Sequence, residues 1–490
     1  MKQNLPIKLL TLAAVAVCAL TGRAQTPPAT PPPAPATTPS ADALLKKLVE
    51  KGVLTDQEAK DILAESTPTN TPASKWKISN AIKNIELFGD VRFRYEYREA
   101  DNAPGSGSDK DDYYRERFRF AVRAGIRGDL FDDFYYGLRL ETASNPRSPW
   151  VTMGEGGSQS NPTPFAKDKF GVNIGQAYLG WRATDWYEMT IGKMPMPLYT
   201  TPMIWDTDIN PEGFTEKFKF SPSQYVDLFA TFGQWVYQAT DPDFGIPASD
   251  TFILAWQLGA NIKLTKDISL KVAPVLYNYT GLGQTNLVNQ IYTGEGLNGI
   301  NVGLYTNYAT ALHFNQNGIN NLLVLEIPAE LNFKIGNYNT RIFGDFAWNP
   351  YGDDRARAAA AAAGPTILPA AVLGQDKAYQ IGAAIGNLGL VYGQTSKKHT
   401  WEARAYFQHI EQYAVDVNII DSDFFERANE EGFYTAFAYS ITDGIIGTVR
   451  YGYANRINKN LGTGGNNPDL PILNPISNYH ILQMDVTWRF

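Results

Sequence analysis

Apolar and polar residues alternate one by one through the last nine residues of the chain, LQMDVTWRF. The residues of one parity are all apolar, namely Leu482, Met484, Val486, Trp488 and Phe490. Successive side chains of a β-strand point to opposite sides of the sheet, and alternation of this kind indicates a strand with one wet and one apolar face. The pattern therefore predicts a strand that ends on the carboxy-terminal aromatic residue.

The same alternation recurs through most of the chain after residue 84. Many runs reach about ten residues, the length that a tilted membrane strand needs, whereas strands of soluble sheets usually have about five or six. About 16 runs can be drawn, an even number, as in bacterial single-chain barrels. They are 85–98, 115–128, 133–143, 172–183, 186–194, 213–220, 225–236, 251–264, 267–280, 322–336, 339–349, 377–393, 400–413, 431–441, 445–457 and 478–490. Around 213–220 and inside 281–321, about 14 or 18 strands could also be drawn.

Short and long connections alternate strictly between these runs. The short ones are 129–132, 183–185, 221–224, 265–266, 336–338, 394–399 and 442–444. The long ones are 99–114, 144–171, 195–212, 237–250, 281–321, 350–376, 414–430 and 458–477. Within 350–376, residues 358–363 are expected to be loop, with or without a helical turn. Short periplasmic turns and long external loops alternate in this way in outer-membrane barrels. The sequence therefore predicts an all-β fold, a transmembrane antiparallel β-barrel of about 16 strands over residues 85–490, with both chain ends on the periplasmic side.

Four segments are predicted before the barrel. They are a signal peptide (1–25), a Pro-rich linker (26–39), a periplasmic helical pair (40–66) and a second linker (67–84). The first segment has Lys2 and Lys8 before an apolar run and small residues near its end, as secretory signals do. The helical pair is too small to bury a core alone, so it either docks on a partner, such as the cell wall, or serves as a mobile tether.

Composition narrows the classes of protein that the chain can be. Aromatic residues make up 13% of its 490 residues, as expected where rings form girdles at both membrane interfaces. A net charge of −7 argues against a nucleic-acid partner. The one cysteine, Cys18, lies in the predicted signal peptide behind Val17, which is not the small residue that lipoprotein processing requires. The mature chain is therefore expected to have no disulfide and no Cys-ligated metal.

Arginines occupy the polar parity of the first three predicted strands. They are Arg92, Arg94, Arg98, Arg117, Arg119, Arg123, Arg127 and Arg139. An arginine that faced lipid would cost about 2–4 kcal/mol at the middle of the bilayer, so we expect these eight side chains to line the lumen as a basic wall. The alternative is that they form structural ion pairs, with Glu86, Asp90, Glu96 and Glu141 as partners.

The connection 195–212 is rich in proline and carries three acids, Asp206, Asp208 and Glu212. If it folds into the barrel, these carboxylates would face the arginines and create a transverse field at a constriction, a device by which channels sort solutes. The alternatives are a plain external loop and a Ca²⁺ site, since Ca²⁺ prefers carboxylate ligands.

The sequence contains no recognisable enzymatic site. Its four histidines, His313, His399, His409 and His480, are scattered, and none has the spacing of a metal site. No serine and histidine are indicated as an adjacent pair of the kind that an esterase needs. We therefore predict that the protein is not an enzyme and that it binds no cofactor.

Three stretches resemble a known family, namely VLTDQEAKDIL (53–63), LFGDVRFRYEY (87–97) and IGKMPMPLYTTPMIWDTDINPEG (191–213). With the export signal, the Pro-rich linker and the terminal Phe490, they make the chain similar to the putative porin family of Gram-negative outer-membrane proteins. The resemblance implies a β-barrel channel in the outer membrane, often a homotrimer. The linker and helical pair before the first strand depart from the pattern of general-diffusion porins.

The predicted function is passive diffusion of ions and small hydrophilic solutes through a barrel in contact with outer-membrane lipid. A barrel of about 16 strands leaves a water-filled passage, whereas one of about eight is filled by side chains. One rival hypothesis is a substrate-selective channel, for an anion such as phosphate or for an oligosaccharide. Another is a structural barrel that tethers the outer membrane to the cell wall through residues 40–66.

Overall fold

In the computed structural model, Ser79–Phe490 forms a unit of its own, separate from the residues before it. The structure describes residues 51, 81–102, 112–143, 148–154, 171–238, 251–281, 322–363, 370, 372–387, 397–417, 419–421, 428–459, 461 and 476–490. The predicted signal peptide, Pro-rich linker and helical pair lie outside the described residues, apart from Lys51, and so does the second linker up to residue 80.

The described residues form nineteen β-strands and one helix, α1 (Gly352–Ala363). The strands are β1 (Glu86–Asn102), β2 (Asp112–Asp129), β3 (Phe134–Ala143), β4 (Val151–Thr152), β5 (Gly171–Thr184), β6 (Tyr187–Lys193), β7 (Glu212–Ser223), β8 (Val226–Gln238), β9 (Thr251–Lys263), β10 (Ser269–Val272), β11 (Val275–Gly281), β12 (Leu323–Glu326), β13 (Ala329–Ile335), β14 (Tyr338–Trp348), β15 (Lys377–Gly386), β16 (Trp401–Ile410), β17 (Glu430–Thr442), β18 (Ile445–Arg456) and β19 (Ile476–Arg489).

These strands form one closed sheet in which neighbours pair antiparallel. The last strand, β19, pairs with β1, and Asp90 lies opposite Arg489. Three wall positions each hold two short strands in line, namely β3 with β4, β10 with β11, and β12 with β13. The nineteen strands therefore build a closed barrel with sixteen wall positions, and the predicted all-β barrel of about 16 strands is confirmed.

Two of the breaks come from prolines that the alternation pattern does not register. Pro274 separates β10 from β11, and Pro328 separates β12 from β13. Proline has no backbone N–H to donate to a ladder, but the two breaks are neighbours, and the Ala273 N–H donates to the Pro328 carbonyl at 3.1 Å. The strands predicted as continuous at 267–280 and 322–336 are thus each interrupted once without opening the wall.

The carboxy-terminal residue closes the barrel beside the start of β1. The Phe490 N–H donates to the Gly89 carbonyl at 3.1 Å, and the Gly89 N–H donates to the Phe490 carbonyl at 3.0 Å. A Cβ atom at Gly89 would lie 2.7 Å from the Phe490 ring, so a residue without a side chain is needed there. Because neighbouring strands are antiparallel, the short turns lie at this same end, and the long connections lie at the other.

The two parities of the strands have opposite chemistry. On β1, Phe93 is 52% exposed on the outside, whereas Arg94 and Glu96 of the other parity are buried. The outer surface is apolar and aromatic over many strands, with examples in Phe118, Ile191, Leu258, Ile381, Phe433 and Val486. This is the pattern of a transmembrane barrel, whose lipid-facing and lumen-facing residues alternate.

An apolar core fills part of the interior near the long connections. It joins Trp205 and Ile204, from the connection between β6 and β7, to Val415 and Ile419, from the connection between β16 and β17. Inward residues of the wall, such as Trp235, complete it. One side of the barrel at that end is therefore packed rather than open.

The remaining differences from the sequence prediction are local. The strand predicted at 377–393 ends at Gly386, and residues 388–396 lie outside the described residues. The stretch 358–363, expected to be loop with or without a helical turn, is the end of the longer helix α1. Among the described residues, no helix is long and apolar enough to cross a bilayer.

Candidate functional site

The connection between β6 and β7, residues 194–211, turns into the barrel, and we call it the inward segment. Its two ends meet at the wall, where the Met194 N–H donates to the Pro211 carbonyl at 3.0 Å. Between these ends the segment reaches side chains on β2, β5, β9, β12 and β14, which surround the interior. The plain external loop weighed from the sequence does not describe this geometry.

Hydroxyl groups hold one end of the inward segment to the wall. The Thr200 hydroxyl donates to Glu326 of β12 at 2.7 Å, and the Thr201 hydroxyl donates to Asp345 of β14 at 2.5 Å. Tyr277 of β11 also donates to Glu326, at 2.7 Å. Both carboxyl groups are buried, so these donors supply hydrogen bonds that water would otherwise supply.

An amide side chain fixes the residue just before these threonines. Gln257 of β9 accepts a hydrogen bond from the Tyr199 N–H at 2.9 Å and donates to the Tyr199 carbonyl at 2.8 Å. This pair of bonds mimics a rung of a β-ladder, so it sets the position of the backbone and not only that of one side chain. The wall therefore holds the backbone of the inward segment at this point.

An ion pair holds the other end. Asp208 accepts a hydrogen bond from Arg123 of β2, and Asn210 accepts one from Gln176 of β5 at 2.9 Å. Burial alone would raise the pKa of Asp208, but Arg123, Arg92 and Arg94 lower that pKa below its ordinary value of 3.8. Asp208 is therefore a carboxylate at neutral pH and lies against the arginines.

Tryptophan packing fixes the middle of the inward segment. Trp205 is 4% exposed, and its ring meets that of Trp235 edge-on, with ring centroids 5.5 Å apart. Its indole N–H donates to the Ile209 carbonyl at 2.8 Å. Farther along, the Asp206 N–H donates to the Ile419 carbonyl at 2.6 Å, which ties the inward segment to the connection between β16 and β17.

The eight arginines of the basic wall lie on the inward parity, and each has a carboxylate partner. The pairs are Arg92 with Asp90 (2.6 Å), Arg94 with Asp485 (2.8 Å), Arg98 with Glu96 (2.7 Å), Arg117 with Glu96 (2.5 Å), Arg119 with Glu96 (3.3 Å), Arg123 with Asp208, Arg127 with Glu86 (2.6 Å) and Arg139 with Glu141 (2.9 Å). The two sequence hypotheses, a basic lining and structural ion pairs, are thus not exclusive.

Glu96 is the centre of the tightest cluster in this wall. Its carboxylate is fully buried and lies within 3.3 Å of Arg98, Arg117 and Arg119. The ring of Trp150 covers the neighbouring Arg94, whose guanidinium carbon lies 4.0 Å from the ring centroid. Glu96 is thus shared by three guanidinium groups, and a guanidinium over an indole face is a favourable cation–π arrangement.

The three acids singled out in the sequence have different surroundings. Asp208 faces the basic wall, and Asp206 lies nearby with its carboxylate accepting the Asp208 N–H at 2.8 Å. Glu212 does not join them, because it begins β7 and pairs with Lys193 at 2.6 Å. Within the described ranges, no three His, Cys, Asp or Glu side chains form a group that could hold a metal ion.

Further cations face inward on strands that the sequence analysis did not single out. Arg450 of β18 pairs with Asp485, Arg404 of β16 with Glu402, and Arg341 of β14 with Glu330 at 3.3 Å. Each lies on the polar parity of its strand, so the same alternation test that selected the first eight arginines would have found them.

The described histidines remain apart. His399 contacts Tyr439, His409 contacts Glu431, and His480 contacts Tyr451, each through Nδ1 at 2.8–2.9 Å. His313 lies outside the described residues. The three therefore do not form a common site.

Comparisons with known proteins bear on this closed, polar-lined barrel. The family model described as putative porin matches residues 101–325. The resemblance to the putative porins is confirmed. No curated protein matches the chain significantly. Two solved structures of mutant porins from Rhodopseudomonas blastica are similar at 11% identity, each covering 83% of this chain and 100% of their own, with TM-scores of 0.38 and 0.36.

The match to the putative porin family and the closed barrel point to the class of protein. Both indicate a porin channel of the outer membrane rather than an enzyme. In such a protein the interior is the functional site, because solutes cross the membrane there. The inward segment and the charges around it are then the groups that a solute would meet.

Proposed function

We propose that this porin conducts ions and small hydrophilic solutes passively and that the basic wall gives it a preference for anions. The observation that carries the proposal is the inward position of the arginines beside the inward segment. A lumen lined by fixed charges attracts the opposite charge and sorts solutes by it. Arginine stays protonated at any working pH, so this preference would not depend on pH near neutrality.

The wall and the inward segment together support a transverse field. Asp208 projects from the segment toward Arg123, and Arg92 and Arg139 lie close enough to interact with it. Three carboxylates, Asp208, Asp90 and Glu141, match these guanidinium groups, and because Asp208 comes from the inward segment, the charges would give the field a direction across the passage. A small anion would pass on the arginine side, and a cation would be held back.

The experiment is reconstitution of the folded protein in planar bilayers, with the reversal potential measured in a KCl gradient. The wild type should conduct with an anion preference, and the double variant Asp206→Asn with Asp208→Asn should shift the reversal potential further toward anions. The double variant Asp353→Asn with Asp354→Asn in α1 removes two carboxylates at another site and is the matched control. An unchanged reversal potential in the first double variant would reject the role of the inward segment.

We also propose that the chain before the barrel consists of a signal (1–25), linkers (26–39 and 67–84) and a helical pair (40–66). The short turns and both chain ends would lie in the periplasm. Mass spectrometry of the exported protein would test the cleavage site, and protease accessibility in intact cells would test the orientation. A barrel that never conducts would favour the tether to the cell wall instead.

A further inference from the structure

A cavity of about 770 Å³ lies against the inner wall beneath the inward segment. Tyr199 forms part of its roof, and β7, β8, β9, β10 and β13 form its sides. This volume is within the range of roughly 300–1,000 Å³ that small-molecule sites occupy. The roof is fixed in place, because Gln257 holds the backbone of Tyr199 through two hydrogen bonds.

Two of the lysines that line this cavity have no carboxylate partner among the described residues. Lys219 of β7 and Lys271 of β10 form no ion pair within 4.0 Å there, whereas Lys217 has Glu188 at 3.9 Å. The acids of the cavity already have cationic partners, since Glu330 pairs with Arg341 and Asp227 with Lys263. The cavity therefore has surplus positive charge, since three lysines line it with two carboxylates, Asp227 and Glu330, although Glu330 is also the register partner of Lys271.

An aromatic ring lies between these two lysines. Phe229 of β8 is the register partner of Lys219, and the Lys271 ammonium is 5.8 Å from its ring centroid and 3.6 Å from that of Tyr199. The ring lies flat across Gly259, where a Cβ atom would come within 2.1 Å of it. Phe229 is only half-buried, so it offers an apolar platform on the cavity side.

Uncharged polar groups complete the lining. Asn261 of β9 and Ser269 of β10 both line the cavity and are half-buried, and Asn332 of β13 donates to Glu330 at 3.2 Å. Small-molecule sites combine apolar and aromatic surface with a few placed polar groups that fix orientation. Here the polar groups are amides and hydroxyls, which suit the hydroxyl groups of a solute.

We propose that this cavity is a binding subsite for an acidic monosaccharide, a hydroxylated ring that carries one carboxylate. The carboxylate would lie between Lys219 and Lys271, the apolar face of the ring on Phe229, and the hydroxyls against Asn261 and Asn332. The inference rests on the proposed channel, because the solute must enter the lumen to reach the cavity. The sequence left two rival classes of solute, an anion and a sugar. An acidic monosaccharide belongs to both classes.

The test uses galacturonate as the probe, with galactose, acetate and inorganic phosphate as comparisons. Calorimetry on the folded full-length protein in detergent measures binding without requiring conduction, and bilayer recordings measure block of the ion current. Galacturonate should bind about tenfold more tightly than each comparison solute. The Lys271→Gln and Lys219→Gln variants should each bind galacturonate about tenfold more weakly than the wild type, because each removes a charge-assisted contact.

The Lys398→Gln variant is the matched control, since Lys398 is an exposed lysine of a turn away from the cavity. It should bind galacturonate as the wild type does. Equal binding of acetate or phosphate, equal loss in the control, or no calorimetric signal with galacturonate would each overturn the subsite. Binding without conduction would instead reject the proposed channel and leave the subsite standing, so the two failures can be distinguished.

Discussion

The inward segment is held at its two ends by different chemistry. On the side of β1, β2 and β19 it meets cations, and Asp208 pairs there with Arg123. On the side of β12 and β14 it meets carboxyl groups, and the hydroxyls of Thr200 and Thr201 donate to Glu326 and Asp345. One short connection thus joins a basic wall to an acidic patch across the interior.

The difference shows that the inward segment is fixed across the interior by two kinds of attachment. On one side Asp208 pairs with a cation, while on the other side neutral hydroxyls donate to buried carboxyl groups without adding a cation. The apolar packing around Trp205 then holds the middle of the segment. Each of the three attachments can be removed separately by substitution. The resulting loss in the free energy of unfolding should differ according to the chemistry of the attachment.

Removal of the central packing should have the largest effect. The Trp205→Ala variant would lose a side chain that is 4% exposed and packed on Trp235, and such truncations cost about 3–5 kcal/mol. We expect the free energy of unfolding, measured by urea titration in lipid vesicles, to fall by about that amount. Single-channel conductance should rise because the inward segment loosens. The exposed Trp186→Ala is the control, and equal effects of both variants would contradict the assignment.

Disruption of the basic wall at its centre should come next. In Glu96→Gln, three arginines lose the negative charge that they share, and the loss of one partner from a buried ion pair costs about 3–5 kcal/mol. The amide keeps one acceptor oxygen, so we expect the free energy of unfolding in the same urea titration to fall by about 3 kcal/mol. Glu86→Gln is the matched control, because its pair with Arg127 is exposed and exposed pairs contribute little.

Much of the wall could be predicted from the sequence because its physics is local. Alternation of parity fixes which side chains face inward, and it located most of the sixteen wall positions within a few residues, although β15 ends at Gly386 and β4 was not predicted. The eight arginines also lie inward, as the cost of placing them in lipid requires. The breaks at Pro274 and Pro328 were missed because a proline does not disturb the parity of its neighbours.

The partners of these residues could not be predicted, since they come from distant parts of the chain. Arg94 pairs with Asp485, which is 391 residues away and adjacent only because β19 closes on β1. Likewise, the position of Thr200 depends on Glu326, and that of Tyr199 on Gln257. Proline and acids indicated that the inward segment is unusual, but only the closed barrel determines what it touches.

Loss of the hydroxyl attachments should have a moderate effect. The double variant Thr200→Val with Thr201→Val keeps the side-chain shape but leaves Glu326 and Asp345 each one hydrogen bond short. A hydrogen bond of this kind contributes about 1 kcal/mol, so we expect a decrease of about 2 kcal/mol for the pair in the urea titration. The control is Thr200→Ser with Thr201→Ser, which keeps both hydroxyls. If the serine variant lost as much stability, packing rather than hydrogen bonding would hold this end.

The smallest effect should come from a change of pH. It tests the end of the inward segment at which Asp208 lies against the arginines. The pKa of Asp208 lies below its ordinary value of 3.8 because the arginines outweigh burial. A lowered pKa means that the ion pair with Arg123 contributes fully above about pH 3.8 and is lost only as the pH falls below that value. The reversal potential should therefore stay constant between about pH 5 and pH 8 in the wild type and in the Asp208→Asn variant. Below about pH 3.8 the reversal potential of the wild type should move toward that of the Asp208→Asn variant. If the reversal potential instead began to shift near neutral pH, the titrating group would be another group of the lumen and not Asp208.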